Sequence, residues 1–460
     1  MDKDLGISPE TSEPKEVPWP PHLRIESPYK GGVKRVKTDR FYKKEYHDLE
    51  VERIWKKCWQ MACRAEEIPN VGDYIVYDVA HLSFIVMRAA ENEIKAYWNS
   101  CPHRGRKLKT FDGQGVSEIR CMFHGFAFNV DGSVKEIPCR WDFRGADNSE
   151  LTLRQVKTGI WGGWVFINPD PDCEPLADFL GTLPDHYENA GHDHSKRWKQ
   201  VHVAVVLECN WKVAQEAFME GWHVTTTHPQ WALTGDPQRL VNRWDVFGNW
   251  WRWAPALPTD KTPRKPGDWG SFTDDPQLAF DTYFDRINPD EPPIQTIHSF
   301  EEAGKVQNDM LRDHYRQAVG ADWADALHTY ELSCADITNV FPNFAPWGTL
   351  SRIVYRYRPY GDDPDRCIME VMLVTEWPQG VERPPPAKIH WLKPGETTAD
   401  SPELAQLARV FLQDVSNMHA LQLGIKTNAN GYVIYSEHNE TPIRVLHDLY
   451  EKWMGLEDGE

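Results

Sequence analysis

The sequence predicts an α+β protein in which a small β-rich unit is followed by a larger unit of strands and helices. Three observations carry this. Short runs rich in β-branched and aromatic residues, broken by Gly, Asp and Asn, crowd the first third of the chain. After about Asp178 extended and helical patterns alternate, which is an α+β signature. The 460 residues also exceed what one hydrophobic core usually supports.

Residues 1–43 read as an N-terminal arm, rich in Pro, Glu and Ser around Pro18, Pro20 and Pro21, leading into the start of the larger unit. The β-rich unit spans 44–178. It opens with a short helix within Tyr46 to Trp59, continues through strands at Tyr74 to Tyr77, Phe84 to Met87, Ile94 to Trp98 and Trp164 to Ile167, and closes at Asn168-Pro169-Asp170-Pro171. In the larger unit, 179–460, Val201 to Leu207, Ser351 to Tyr357 and Ile368 to Thr375 read as strands. Trp211 to His223 reads as a helix, and a Pro-rich and charged insertion covers about 259–335, including a helix from Phe300 to Ala318. The last long helix is expected from Pro402 to Ile425, with Ser401 as its N-cap.

The net charge of -18 disfavours a nucleic-acid partner. No apolar run approaches the roughly 20 residues that span a bilayer, and the polar, acidic start lacks the features of a secretory signal, so a cytoplasmic address is expected. Nine cysteines in such a chain are read as ligands before disulfides. Only Cys101 and Cys121 have suitable neighbours.

Those neighbours form two similar segments, Cys101-Pro102-His103-Arg104-Gly105 and Cys121-Met122-Phe123-His124-Gly125, with seventeen residues between His103 and Cys121. Each supplies a thiolate and an imidazole. Two thiolates on one iron and two imidazoles on the other describe a [2Fe-2S] cluster of raised reduction potential. By ligand type alone, a tetrahedral zinc ion remains open. Cys-x-His-Arg-Gly paired with Cys-x-x-His-Gly resembles the Rieske signature, and from about Phe41 to the final helix the chain resembles the α subunit of a Rieske non-haem iron ring-hydroxylating oxygenase. Phe126 stands where such proteins commonly have tryptophan. The basic run His103 to Lys109 adjoins the expected point of electron entry.

Downstream, Asn210-Trp211-Lys212 opens a run that continues through Glu216, Glu220 and His223 to His228-Pro229. Glu216, Glu220 and His223 would share a helical face, whereas His223 and His228 lie about 140° apart on a regular helix and can meet one metal only where the helix ends or distorts. Two histidines and a carboxylate with open positions suit non-haem Fe(II). The third ligand is expected at Asp414, which falls on the apolar stripe of Leu404, Leu407, Phe411, Met418 and Leu421, where a buried carboxylate needs a partner.

The resemblance implies a Rieske domain joined to a helix-grip (START-like) catalytic domain with an antiparallel sheet. It implies Fe(II) on His223, His228 and Asp414, O₂ as co-substrate, NAD(P)H electrons delivered by a ferredoxin and/or ferredoxin reductase, and a head-to-tail homotrimer, with or without a β subunit. Glu220, where most members have aspartate, would bridge His223 to His124 of the next chain; relatives that oxidise quaternary amines are among those with glutamate. Around Phe341-Pro342-Asn343, which matches a family element, the expected lining of the substrate pocket is Glu216, Phe218, Met219, Trp231, Phe247, Trp250, Phe344 and Trp347. Such a lining suits a small hydrophobic, aromatic substrate. Monooxygenation or demethylation of a non-aromatic or quaternary-amine substrate is the alternative chemistry. Readings of other classes are a non-catalytic electron carrier and a zinc-bearing binding module.

Overall fold

Alternation and turn chemistry build the first sheet. Tyr74–Val79, Leu82–Ala90 and Glu93–Trp98 form successive antiparallel hairpins, and Gln155–Trp161 turns into Trp164–Asn168 through Gly162 and Gly163, both at positive φ as a tight two-residue hairpin requires. With Gln60–Arg64 at one edge this makes six strands; Ile119–Arg120, Ala127–Phe128 and Val134–Glu136 form a separate three-stranded sheet. This is a computed structural model, and it describes residues 25–29, 31–189, 192–228, 242–255, 275–283, 292–318, 320–327, 337–347, 352–377, 381–405 and 407–456. Trp231 and the arm's Pro18, Pro20 and Pro21 lie outside them. The described residues 25–29 of the arm bind their own chain, Ser27 Oγ donating to Val246 O and Tyr29 Oη to Asp448.

The second sheet has eight strands, in the spatial order Asn242–Phe247, Trp250–Pro255, Ile337–Val340, Phe344–Pro346, Ile353–Pro359, Cys367–Glu376, Arg197–Leu207 and His390–Trp391. Its pairings are antiparallel except the last, which is parallel. Cys367–Glu376 is buried along nearly its whole length and reads accordingly as a mostly apolar run interrupted by Glu370, because both faces are covered. Alternate residues then serve two cores. Trp251, Ala345, Tyr355, Tyr357, Met369 and Val371 face one core, which includes Phe411 and Met418 of the helix Leu407–Thr427. Trp250, Phe344, Val354, Met372 and Val374 face the other, against Trp164 and Phe166 of the first sheet.

Several expectations are corrected. The predicted helix from Trp211 to His223 stops at Glu216, and a second short helix, Val224–Thr227, starts after a turn. The first turn of the predicted Pro402–Ile425 helix separates: Ser401 flanks a 3₁₀ turn, Pro402–Leu404, Ala405 adopts positive φ, and the α-helix runs Leu407–Thr427. Leu421 on its stripe is exposed, while Gln422 is buried, accepting from Asn210 N at 3.0 Å and donating to Phe41 O at 3.0 Å. A further helix, Thr441–Met454, follows; Ile443, Leu446, Tyr450 and Met454 bury one face of it.

A buried ionic network joins the two sheets. Glu370 takes two hydrogen bonds of 2.6 Å from Arg356, one of 3.1 Å from Arg358 and one of 3.2 Å from His202, and Arg356 also donates to Met61 O. Lys199 can only donate, so His202 Nδ1, 3.1 Å from its Nζ, is the accepting nitrogen, and Nε2–H points at Glu370. Burial and the Lys199 charge outweigh Glu370 and bring the His202 pKa down to about 4. The unfolded chain therefore binds this proton first as pH falls from about 6.5, and stability present above that pH is lost by up to about 3 kcal/mol on reaching pH 4. His202→Gln keeps an acceptor and a donor without titrating. Denaturant unfolding from pH 7 to pH 4 should show a shallower loss for the variant, and parallel slopes would refute this assignment.

Candidate functional site

The first site is built by two loops of the same design. Cys101 N donates to Arg106 O and Gly105 N to Cys101 O; Cys121 N donates to Phe126 O and Gly125 N to Cys121 O. Gly105 and Gly125, at φ +72° and +79°, close these turns in a conformation that a side chain resists. Cys101 and Cys121 are thereby buried side by side, and the imidazoles of His103 and His124 meet edge to face with centroids 4.6 Å apart. Burial raises the Cys101 thiol pKa. At Cys121 burial is outweighed by the N–H groups of Phe123 and His124, which favour the thiolate. His103 Nδ1 is buried and makes no hydrogen bond, as a nitrogen meant for a metal would be. Phe126, in the tryptophan position, stacks on the His103 ring at 4.9 Å. Among the described residues, these four donors are not drawn together as ligands of one ion; only His223, His228 and Asp414 place three ligand atoms within 4.8 Å of one another.

The second site depends on the broken helix. Asn210 caps Trp211–Glu216 by accepting from Lys212 N at 3.1 Å, Trp211 Nε1 donates to Glu50 at 2.8 Å, and Lys212 makes a buried ion pair with the same carboxylate. The Asn-Trp-Lys run is therefore an anchor. Beyond Glu216 the chain turns, so that His223 precedes the short Val224–Thr227 helix and His228 follows it. Their rings come to 5.3 Å, and Asp414 Oδ1, from the long helix, stands 2.8 Å from His228 Nε2 and 3.4 Å from His223 Nε2. Asp414 is buried, and its Oδ1 has no hydrogen bond of acceptable geometry despite those distances. Lone pairs so placed repel unless a cation sits among them, and two imidazoles with one carboxylate suit Fe(II). Burial lowers the His223 pKa, but the adjacent carboxylates of Asp414 and Glu220 reverse this and raise it to about 10, marking a proton that a bound cation would replace.

Glu220 Oε1 lies 2.6 Å from His223 Nδ1, and its Oε2 accepts from the N–H groups of Trp222 and His223. It is on the turn and not on one helical face with Glu216. Trp222 beside it is exposed, as are Met122 and Phe123 beside His124.

The expected pocket residues divide. Phe218 and Met219 are buried on the triad side, Phe218 lying 6.2 Å from Phe411, one turn before Asp414, and Trp347 packs on Tyr355 at 5.1 Å. Phe247, Trp250 and Phe344 are corrected: strand alternation sends them to the opposite face, where Trp250 stacks on Phe247 and Phe344 meets Trp164 and Phe166. Glu216 is corrected too, since Tyr435 and His447 of its own chain occupy its two oxygens at 2.7 and 2.8 Å. Trp231 lies outside the described residues. Sequence reading passed over Tyr355 and Tyr357, both close enough to feel the Asp414 charge, and Trp251; the signal was their i, i+2 spacing or their parity relative to Trp250.

Residues 58–146 match the Rieske [2Fe-2S] domain, and residues 188–456 match the catalytic domain of the ring-hydroxylating α subunits. The chain is 30% identical over 216 residues to the anthranilate 1,2-dioxygenase large subunit of Acinetobacter baylyi, covering 46% of each. It is 26% identical over 213 residues to the carnitine monooxygenase oxygenase subunit of Escherichia coli, covering 46% of this chain and 56% of that one. These alignments thus span about half the length of the curated relatives. The fold resembles a quaternary ammonium Rieske monooxygenase solved with L-carnitine (TM-score 0.61, 17% identity, 91% of this chain and 95% of that one). It also resembles a naphthalene 1,2-dioxygenase variant bound to phenanthrene (TM-score 0.62, 17% identity, 94% of each chain). No helix among the described residues is long and apolar enough to cross a membrane. With its catalytic-domain match covering more than half of its length, the chain belongs to the ring-hydroxylating α subunit family and carries a Rieske [2Fe-2S] domain ahead of its catalytic domain.

Proposed function

We propose that this chain is the terminal oxygenase of a multicomponent system that uses O₂ and NAD(P)H-derived electrons, delivered by a ferredoxin and/or a reductase, to hydroxylate a small hydrophobic substrate. One observation carries the reading: a chain with a two-thiolate, two-imidazole site also holds a buried Asp414 oxygen, unsatisfied, beside two imidazole nitrogens. An electron carrier has no need of the second arrangement. Bound at these places, a [2Fe-2S] cluster would supply single electrons and Fe(II) would supply O₂ activation.

Cys101, His103, Cys121 and His124 would hold the cluster, and His223, His228 and Asp414 the iron. Glu220 keeps the His223 proton on Nδ1 and leaves Nε2 free for a metal. Its second oxygen reaches the same exposed turn as Trp222, a place where His124 of another copy could meet it; this supports a head-to-tail homotrimer, compatible with an added β subunit. Phe218, Tyr355, Tyr357 and Phe411 keep water from the triad and offer ring faces and edges to a substrate. The same rings would attract a quaternary ammonium group, the second reading that Glu220 favours.

The test uses chains purified without oxygen and supplied with ferredoxin, reductase and a panel of aromatic acids, polycyclic hydrocarbons and quaternary amines. NADH-dependent O₂ uptake and a product gaining oxygen are expected. Cluster reduction without O₂ uptake on any substrate, in iron-loaded protein, would leave only an electron carrier.

A further inference from the structure

The outer nitrogens of the triad histidines are held differently. His223 Nδ1 faces a carboxylate, Glu220, at 2.6 Å, whereas His228 Nδ1 faces the amide oxygen of Gln413 at 2.9 Å. We propose that Gln413 is a positioning residue for the mononuclear metal: its amide oxygen holds the His228 proton on Nδ1 and so presents the Nε2 lone pair to the cation. This rests on the reading of His223, His228 and Asp414 as an iron site.

A neutral imidazole carries one N–H, and the partner of one nitrogen decides what the other can do. An amide oxygen only accepts, so it selects Nδ1–H. Were a donor there instead, the proton would move to Nε2, on the side of Asp414 Oδ1 at 2.8 Å, and occupy the lone pair that a cation needs. His228 is 1% exposed, so water cannot easily replace the acceptor, whereas the more open His223 has an anion. Gln413 directly precedes Asp414 on the helix Leu407–Thr427, about 100° around it, so a single turn supplies one ligand and the brace of another. Charge also fits. Asp414 and Glu220 together balance a dication, and a neutral brace on His228 adds no third negative charge.

The test compares Gln413→Met, close in shape but without an acceptor, with Gln413→Glu, close in shape and accepting. Cluster-loaded full-length protein is titrated with Fe(II) without oxygen, against a chromophoric chelator, with the cluster absorbance as a check on folding. Gln413→Met should weaken Fe(II) binding about 10- to 100-fold, as loss of a metal-ligand brace typically does, and Gln413→Glu should restore it to near the parent level. Parent-like binding by Gln413→Met would overturn the proposal, as would equal weakness in both variants, which would mark a packing role. A parent that binds no Fe(II) would instead sink the iron-site reading, and this inference with it.

Discussion

Replacing Asp414 by alanine is expected to abolish both turnover and Fe(II) binding while leaving the red-brown cluster absorbance unchanged. Asp414 is the only anionic member of the triad, so its loss leaves two neutral imidazoles to hold a dication in a half-enclosed site. Alanine suits the interior of Leu407–Thr427, which keeps the loss local. The proposed cluster ligands sit in another part of the fold, on loops closed by their own backbone hydrogen bonds, and nothing in their geometry depends on Asp414. Iron content, oxygen uptake and the visible spectrum of one preparation decide the matter. Retained iron with normal turnover would remove Asp414 from the site, and loss of the spectrum would show a general folding defect.

Glu220→Ala is expected to lower turnover by at least about 100-fold, at the upper end of what loss of such a supporting group costs. The carboxylate does two things at once. One oxygen holds His223 Nδ1 at 2.6 Å; the other accepts from backbone N–H groups on the turn that carries His223 to the triad. Alanine removes both, so the ring is free to rotate and the turn to loosen. Glu220→Asp retains the charge on a shorter stem and should recover part of the rate. The measurement that separates a relay from a scaffold is oxidation of the pre-reduced cluster by O₂ with substrate present, in protein whose iron content is known. A relay role requires slow cluster oxidation in fully iron-loaded Glu220→Ala; parent-like oxidation would end it.

The proposed cluster site was legible because the four donors assigned to it lie in two short segments, each closed by its own glycine, so local sequence nearly specifies local geometry. Asp414 was legible for a different reason, since helical periodicity turns it inward whatever it meets there. The strands Leu82–Ala90, Glu93–Trp98 and Cys367–Glu376 likewise announced themselves through β-rich runs. The helix Thr441–Met454 carries as plain a stripe as any, and reading stopped short of it.

The sequence by itself thus determined the α+β architecture and offered the proposed donor sets with the class of metal each suits. Only the tertiary structure decided which side of the large sheet each aromatic residue faces, that Glu216 is taken by Tyr435 and His447, and that the predicted helix breaks after Glu216 to bring His223 and His228 onto one point with Asp414. The physical reason is range. Ligand type and periodicity are properties of neighbouring residues, whereas the facing of a strand reverses with a one-residue change of register, and that register is set by partners such as Phe344↔Arg356, drawn from distant parts of the chain.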